Sequence, residues 1–321
     1  MLEVSNADRL VFPAIGRTKG DVVAYYQRIA PRALAHVIDR PLSIRRYPKG
    51  LSGPGFFQKN VPPHYPDDIQ RFSIPRSKSA TKKHRDARGN DPGKERDVTL
   101  YPVIRSPEQL AYLANQGAIE LHVPTARVDA PLRPDRLVID LDPPPGAVQE
   151  VRRAALLARA ALAELGLESV PVATGSKGYH VVCPIEREVE VDVLAGAIHK
   201  FATLLVARYP DELTLAFRIA LRAQRVFVDW LRIGLAASVV APYSLRATGM
   251  ASVATPLAWS ELDVTAPDAF TIGDLERLLD RPDPLAELAA TPSSAKNFVT
   301  AVDAAFERSG LTLEPFDRFR S

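Results

Sequence analysis

Apolar positions recur along the chain at two spacings. From Thr18, TKGDVVAYYQRIAPRALAHVI sets them three and four apart behind a Thr/Asp start, which predicts a first helix. PLSIRRYPKG and GPGFFQKN read as short strands broken by Gly and Pro, LYPVI as a strand, SPEQLAYLANQGA as a capped helix, and IELHVP as a further strand. RLVIDLD is an apolar run ending in charge, and AVQEVRRAALLARAALAELG carries an Ala/Leu face closed by Gly166. VPVAT, GYHVVCPI and VFVDWL predict strands, with a helix over VDVLAGAIHKFATLLVARY between the last two. From about Phe270, TIGDLERLLD and SSAKNFVTAVDAAFERSG give two more helical patterns. There is no internal repeat. Interleaved strands and helices of this kind predict an α/β or α+β chain with a mixed sheet.

Three stretches carry candidate chemistry. In RLVIDLDPPPG, Asp140 and Asp142 are two apart, so on a strand both carboxylates leave the same face. Side-by-side negative charge asks for a cation between them, or else the two cap a corner and face water. In VATGSKGYHVV, a turn of Thr174, Gly175, Ser176, Lys177 and Gly178 offers flexible amides, hydroxyls and a cation to a phosphate, with His180 just inside the next strand. It lacks the spacing of a Walker A loop. In LRAQRVFVDWLRIG, alternation puts Asp229 on the face of Phe227, a lone carboxylate in an apolar run that needs a cation. Arg222 and Arg225 are candidates for that cation. Should Asp229 meet Asp140 and Asp142 instead, two divalent ions, Mg²⁺ or Mn²⁺, would hold the three and suit phosphoryl or nucleotidyl transfer.

Composition narrows the class. With 46% apolar and 25% charged residues in 321, the chain is an ordinary globular mixture. It has neither a membrane-length apolar stretch nor a signal-peptide pattern, so a cytosolic protein is expected. The single cysteine, Cys183, excludes an internal disulfide and reads as a buried strand thiol. Net charge is only +3, but from Arg71 to Arg96 nine Lys/Arg stand against three acids. This segment, about 71–97, lacks apolar periodicity and is expected to be a long exposed loop. Lys82, Lys83 and Arg85 would meet a phosphate backbone there.

Taken in order, LVIDLDPPPG, TGSKGYHV, RVFVDWLR and VVAPYSLRA resemble the primase-polymerases of the archaeo-eukaryotic primase superfamily, above all the polymerase domain of bacterial ligase D, which acts in non-homologous end joining. The resemblance runs from about Ser5 to about Leu279. It implies an α+β, mixed-sheet fold with an RRM-like catalytic subdomain and a smaller N-terminal α/β subdomain. The catalytic domain is expected over 1–283 and a helical tail over 284–321. It also implies template-directed nucleotidyl transfer in DNA repair, with Asp140, Asp142 and Asp229 as ligands of two Mn²⁺ or Mg²⁺ ions. His122, Thr174, Gly175, Ser176, Lys177, His180, Arg222 and Arg246 fall at positions that bind the incoming nucleotide. Arg9 and Lys19 match a pocket for the 5′-phosphate of a downstream strand. Phe56 and Phe57 match an aromatic pair that touches bases, and Arg45, Arg46 and Lys59 lie in the same DNA-facing stretches.

The chain departs from the family in Arg9 for a usual Lys, Thr174 for Ser, Arg45–Arg46 for a Lys-Arg pair, and a longer basic loop. Ending without a ligase or nuclease module, it is expected to act alone on gapped or ended DNA with NTPs or dNTPs. A separate ligase or end-binding protein would be its partner, and its place cytoplasmic, at the nucleoid. Two other classes stand beside this one. D-x-D also occurs in metal-dependent glycosyltransferases, a reading that leaves the basic segment and the aromatic pair unused. A non-catalytic DNA-end-binding module would need no carboxylate triad.

Overall fold

The structure, a computed structural model, describes residues 2–75, 98–234 and 237–313. A ribbon of β1 (Leu10–Phe12) and β2 (Arg17–Thr18) leads into α1 (Lys19–Val37). The Thr/Asp start of α1 is a capping box: the Asp21 amide donates to the Thr18 hydroxyl, and the Thr18 amide donates to Asp21 at 2.7 Å. Then follow β3 (Ser43–Arg46), β4 (Phe56–Gln58), β5 (Gln70–Pro75), β6 (Val98–Val103), α2 (Pro107–Asn115) and β7 (Ala118–Val123). The second half runs β8 (Arg136–Asp142), α3 (Val148–Glu164), β9 (Val170–Ala173), β10 (Tyr179–Pro184) and α4 (Val191–Arg208). Four short strands come next: β11 (Leu213–Thr214), β12 (Val226–Asp229), β13 (Val239–Val240) and β14 (Thr255–Pro256). The chain closes with α5 (Leu275–Asp280), α6 (Pro284–Leu288) and α7 (Ala295–Ser309).

The main sheet has the order β11-β12-β8-β10-β9-β14, with β11 and β12 parallel and every other pair antiparallel. This is the mixed α+β architecture expected. A second sheet, β13-β7-β3-β4, takes three of its strands from residues 43–123, but its edge strand β13 comes from far downstream. That pairing, with Arg246 lying between Thr174 of the first sheet's β9–β10 turn and Glu120 of β7, links the two sheets. β8 is central because Leu137, Val138, Ile139 and Leu141 are at most 2% exposed, so both faces of the strand need covering. The small residues of α3, Ala154, Ala155 and Ala158, let that helix lie close on β8 and β10. Truncating Ile139 to Ala would open a cavity there at a cost of about 2–5 kcal/mol.

The apolar residues of the C-terminal helices, Leu285, Phe298 and Val302, belong to the same buried cluster as Val138 and Ile139. α7 lies on α4 through Phe298 and Phe201, their ring centroids 6.3 Å apart, and through Lys200 and Asp303 at 2.6 Å. No described helix is long and apolar enough to cross a membrane.

One expected boundary moves. Residues 71–75, counted into the basic loop, form the strand β5, paired with β6 from Gln70↔Val103 to Pro75↔Val98. Lys82, Lys83 and Arg85 lie outside the described residues.

Candidate active site

The acidic wall is a product of strand register. On β8, Asp140 stands directly opposite Asp229 of β12 on one side and His180 of β10 on the other. Residues paired across antiparallel strands project to the same face, so all three side chains converge. Asp142, two residues on, stands opposite Phe227. Asp140 and Asp229 are buried at 9% and 7% exposure. Burial raises the pKa of all three aspartates, and the Asp140 carboxylate pushes Asp142 and Asp229 further up. Such a cluster is short of positive charge.

The cation that answers it is neither of the arginines expected. Arg222 lies over the Phe227 ring, 4.1 Å from its centroid, and donates to the carbonyls of Ala216 and Phe217; Arg225 donates only to backbone carbonyls. Arg232 fills the role, with Nε 2.9 Å from Asp140 Oδ2 and an Nη 2.7 Å from Asp229 Oδ2. Local spacing does not single out Arg232, which follows the strand rather than lying on it or before it. The chain turns back just after β12, where the Leu231 amide donates to Asp229 Oδ1 at 3.0 Å.

Facing the acids is a basic wall made by the β9–β10 turn. Thr174 closes the turn, its amide and hydroxyl both donating to the Gly178 carbonyl, the hydroxyl at 2.8 Å. Gly175 has φ +68°, and a Cβ there would come 2.7 Å from Arg246 Cγ. Gly178 passes so close to β8 that a Cβ would sit 2.0 Å from the Leu141 carbonyl oxygen. Lys177 is exposed at the tip and Ser176 is half-buried. Arg246 donates to the Thr174 carbonyl at 2.9 Å, while its Nε is buried without a hydrogen-bond partner. His180 lies 3.5 Å from Asp140, yet burial, with Arg232 and Arg246 nearby, pushes its pKa down to about 3. Its imidazole is therefore neutral near pH 7 and adds no charge to the basic wall.

The two walls enclose a cavity of about 250 Å³ lined by His122, Asp140, Asp142, Thr174, Ser176, Lys177, His180, Arg232 and Arg246. Of the residues expected around a nucleotide, Gly175 and Arg222 lie off this lining, as does Asp229, whose carboxylate is held by Arg232. A second residue that sequence reading missed organises the far side. Glu120, 2% exposed, accepts from His122 at 3.0 Å, Arg45 at 3.3 Å and the Ala247 amide at 3.0 Å, and lies 3.7 Å from Arg246. Burial alone would raise its pKa, but His122 and Arg246 pull it down to about 2. The signal was present in IELHVP, where Glu120 and His122 share a strand face.

The DNA-facing candidates adjoin this cavity. Phe57 meets His122 edge-on with centroids 5.2 Å apart, and Phe56 and Phe57 are 47% and 55% exposed. Arg45 and Arg46 stand over Phe57 and Phe56, each 5.7 Å from the ring centroid, and Lys59 is exposed just beyond β4. Arg9 and Lys19 come together in a separate pocket of about 190 Å³, shared with Ser5, Asn6, Arg46 and Asn115. Lys19 Nζ donates to the Ser5 carbonyl at 2.6 Å, and burial beside Arg9 lowers its pKa.

Three carboxylates offering hard oxygen donors fit Mg²⁺ or Mn²⁺ in chemistry and in charge. Yet among the described residues no three His, Cys, Asp or Glu side chains are gathered in a metal-holding arrangement. Arg232 occupies the space between two of the three.

A family model described as the LigD primase-polymerase domain matches residues 18–285. Multifunctional non-homologous end joining protein LigD of Mycobacterium bovis is 35% identical over 269 residues, 81% of this chain and 33% of that protein. The LigD of Pseudomonas aeruginosa is 30% identical over 295 residues, 90% of this chain and 33% of its own length. The chain thus spans about a third of these relatives. Among solved structures, the polymerase domain of Mycobacterium tuberculosis ligase D in complex with DNA superposes with a TM-score of 0.78 at 31% identity, covering 91% of this chain and 99% of that one.

Proposed function

This chain belongs to the LigD primase-polymerase domain family, and on that premise we propose that it is a template-directed nucleotidyltransferase that fills short gaps or ends in DNA during end-joining repair. The reaction joins a primer 3′-oxygen to the α-phosphorus of an NTP or dNTP and releases pyrophosphate. The observation that carries the reading is the pairing of an acidic wall, Asp140, Asp142 and Asp229, with a basic wall, Lys177 and Arg246, around one cavity. A triphosphate needs the second wall. A reacting hydroxyl beside it needs the first.

In this reading Asp140, Asp142 and Asp229 hold Mn²⁺ or Mg²⁺, which when bound supplies positive charge where negative charge develops on the reacting oxygens. Lys177 and Arg246 take the phosphates, and the Nε of Arg246, buried without a hydrogen bond and 3.7 Å from Glu120, keeps a donor to offer. Neutral His180, 3.5 Å from Asp140 Oδ1, would offer a hydrogen bond without adding charge. His122, fixed by Glu120 and leaning on Phe57, forms the wall against which base and sugar would sit. Phe56 and Phe57 would stack on bases, at about 1–3 kcal/mol per base. Arg9 and Lys19 would take a downstream 5′-phosphate. The solved relative holds DNA, which supports a nucleic-acid substrate for this chain as well.

A primer-extension assay on gapped DNA tests the reading. Asp140→Ala should lose at least about a thousandfold in rate, since electrostatic positioning at the reacting atoms is the largest catalytic term here. Wild-type-like synthesis by that variant would remove the acidic wall from the chemistry.

A further inference from the structure

The four carboxylate oxygens of Asp140 and Asp229 all face groups of the protein itself. Arg232 takes Asp140 Oδ2 and Asp229 Oδ2, the Leu231 amide takes Asp229 Oδ1, and His180 stands 3.5 Å from Asp140 Oδ1. Of the three aspartates, Asp142 alone has no hydrogen-bond or ion-pair partner among the described residues. An ion held by Asp140 and Asp229 would compete with Arg232 for the same two carboxylates, the guanidinium lying 2.9 Å and 2.7 Å from their Oδ2 atoms. The arginine is placed to leave. It follows the end of β12, outside any helix or strand, its side chain is 34% exposed, and it lines the same cavity as Lys177 and Arg246. A triphosphate entering that cavity would offer it a new set of anionic oxygens.

We propose that Arg232 is an exchangeable internal counter-cation. It holds Asp140 and Asp229 together while the site is metal-free, and gives them up to a divalent ion as it turns to the incoming triphosphate. Arg232 is thus a positioning residue that acts through the two aspartates. Before exchange it keeps like charges from forcing β8 and β12 apart. During exchange its positive charge stays in the cavity and moves from carboxylates to phosphates. One consequence is that ion uptake without nucleotide is opposed by the protein itself. The inference rests on the reading of the three aspartates as the ion-holding set.

The test is direct ion binding by the full, nucleotide-free chain: Mn²⁺ titration followed through the spin-resonance signal of the free ion, and melting temperatures in chelator and in Mn²⁺. Arg232→Gln should bind Mn²⁺ about tenfold tighter than wild type, which is about 1.4 kcal/mol. It should melt below wild type in chelator and recover by a larger increment when Mn²⁺ is added. A merely structural arginine would lower the melting temperature equally in both conditions. Arg232→Lys, whose single ammonium cannot span two carboxylates as a planar fork does, should fall between the two and keeps the test available should the Gln variant fail to fold. Equal Mn²⁺ affinity at wild type and both variants overturns the exchange. An Asp140→Asn/Asp229→Asn double variant separates the two readings. Loss of Mn²⁺ binding there upholds the aspartates as the ion site, and undiminished binding overturns that assignment together with the exchange built on it.

Discussion

At the scale of single residues, Glu120 is the group that ties together His122, Arg45 and Arg246 beside the cavity. Its carboxylate sits at about 2 against an ordinary value of 4.5, because His122 and Arg246 more than offset the effect of burial. A depressed carboxylate contributes stability that is present above the unfolded value and is lost as pH falls from about 4.5 toward 2. Glu120→Gln should therefore cost on the order of 3 kcal/mol at pH 7, and the gap from wild type should shrink to less than half by pH 3 and close only as pH falls to about 2. Urea unfolding at pH 7 and pH 3 measures it. A gap that stays constant with pH would mean that Glu120 serves by packing alone. The same variant frees Arg246 and His122, so KM for the nucleotide should rise more than kcat falls.

At the scale of elements, the acidic wall was legible wherever a short-range rule decides it. D-x-D on β8 and the alternation that isolates Asp229 on β12 follow from a period of two. The pairing Asp229↔Asp140 does not, since register between strands some 90 residues apart is set by the fold around them. Arg232 was hidden for that reason, being defined by two acids on two strands. The strands β11, β13 and β14 are two residues each, too short for any period to show. β5 was absorbed into a charge count that began at Arg71. The β9–β10 turn was recognised, but the use of one glycine was not: Gly178 gives room for the Leu141 carbonyl, the peptide unit between the two aspartates. Gly178→Ala should push the turn off β8 and cost about 1–3 kcal/mol in stability, and it should lower primer extension as far as an aspartate variant does. Ser176→Ala, on the same turn and free of that contact, should melt like wild type. Thermal melting and single-turnover extension of the pair decide it, and a stable, active Gly178→Ala would show that the close approach is unimportant.

At the scale of the whole molecule, a run of basic and aromatic side chains links the cavity beside Asp140 to the pocket of Arg9 and Lys19. Arg46 borders the Arg9–Lys19 pocket and stands over Phe56, and Arg45 stands over Phe57 and reaches Glu120 beside His122 and the cavity of Asp140. Basic and aromatic groups alternate along that path, as a polymer with charged links and stacked bases requires. A gapped DNA would then be gripped at its downstream 5′-phosphate by one pocket while the primer end meets the other, and the strip between them would set how many template bases the gap holds. Arg9→Gln combined with Lys19→Gln should abolish most of the preference for a 5′-phosphate over a 5′-hydroxyl on gapped substrates, by about tenfold, and lower the slope of log affinity against log salt by about 1. The deficit should be much smaller on recessed ends that lack a downstream strand. Binding and extension measured on matched gapped substrates across a salt series test this, and an unchanged phosphate preference would detach the N-terminal pocket from DNA altogether.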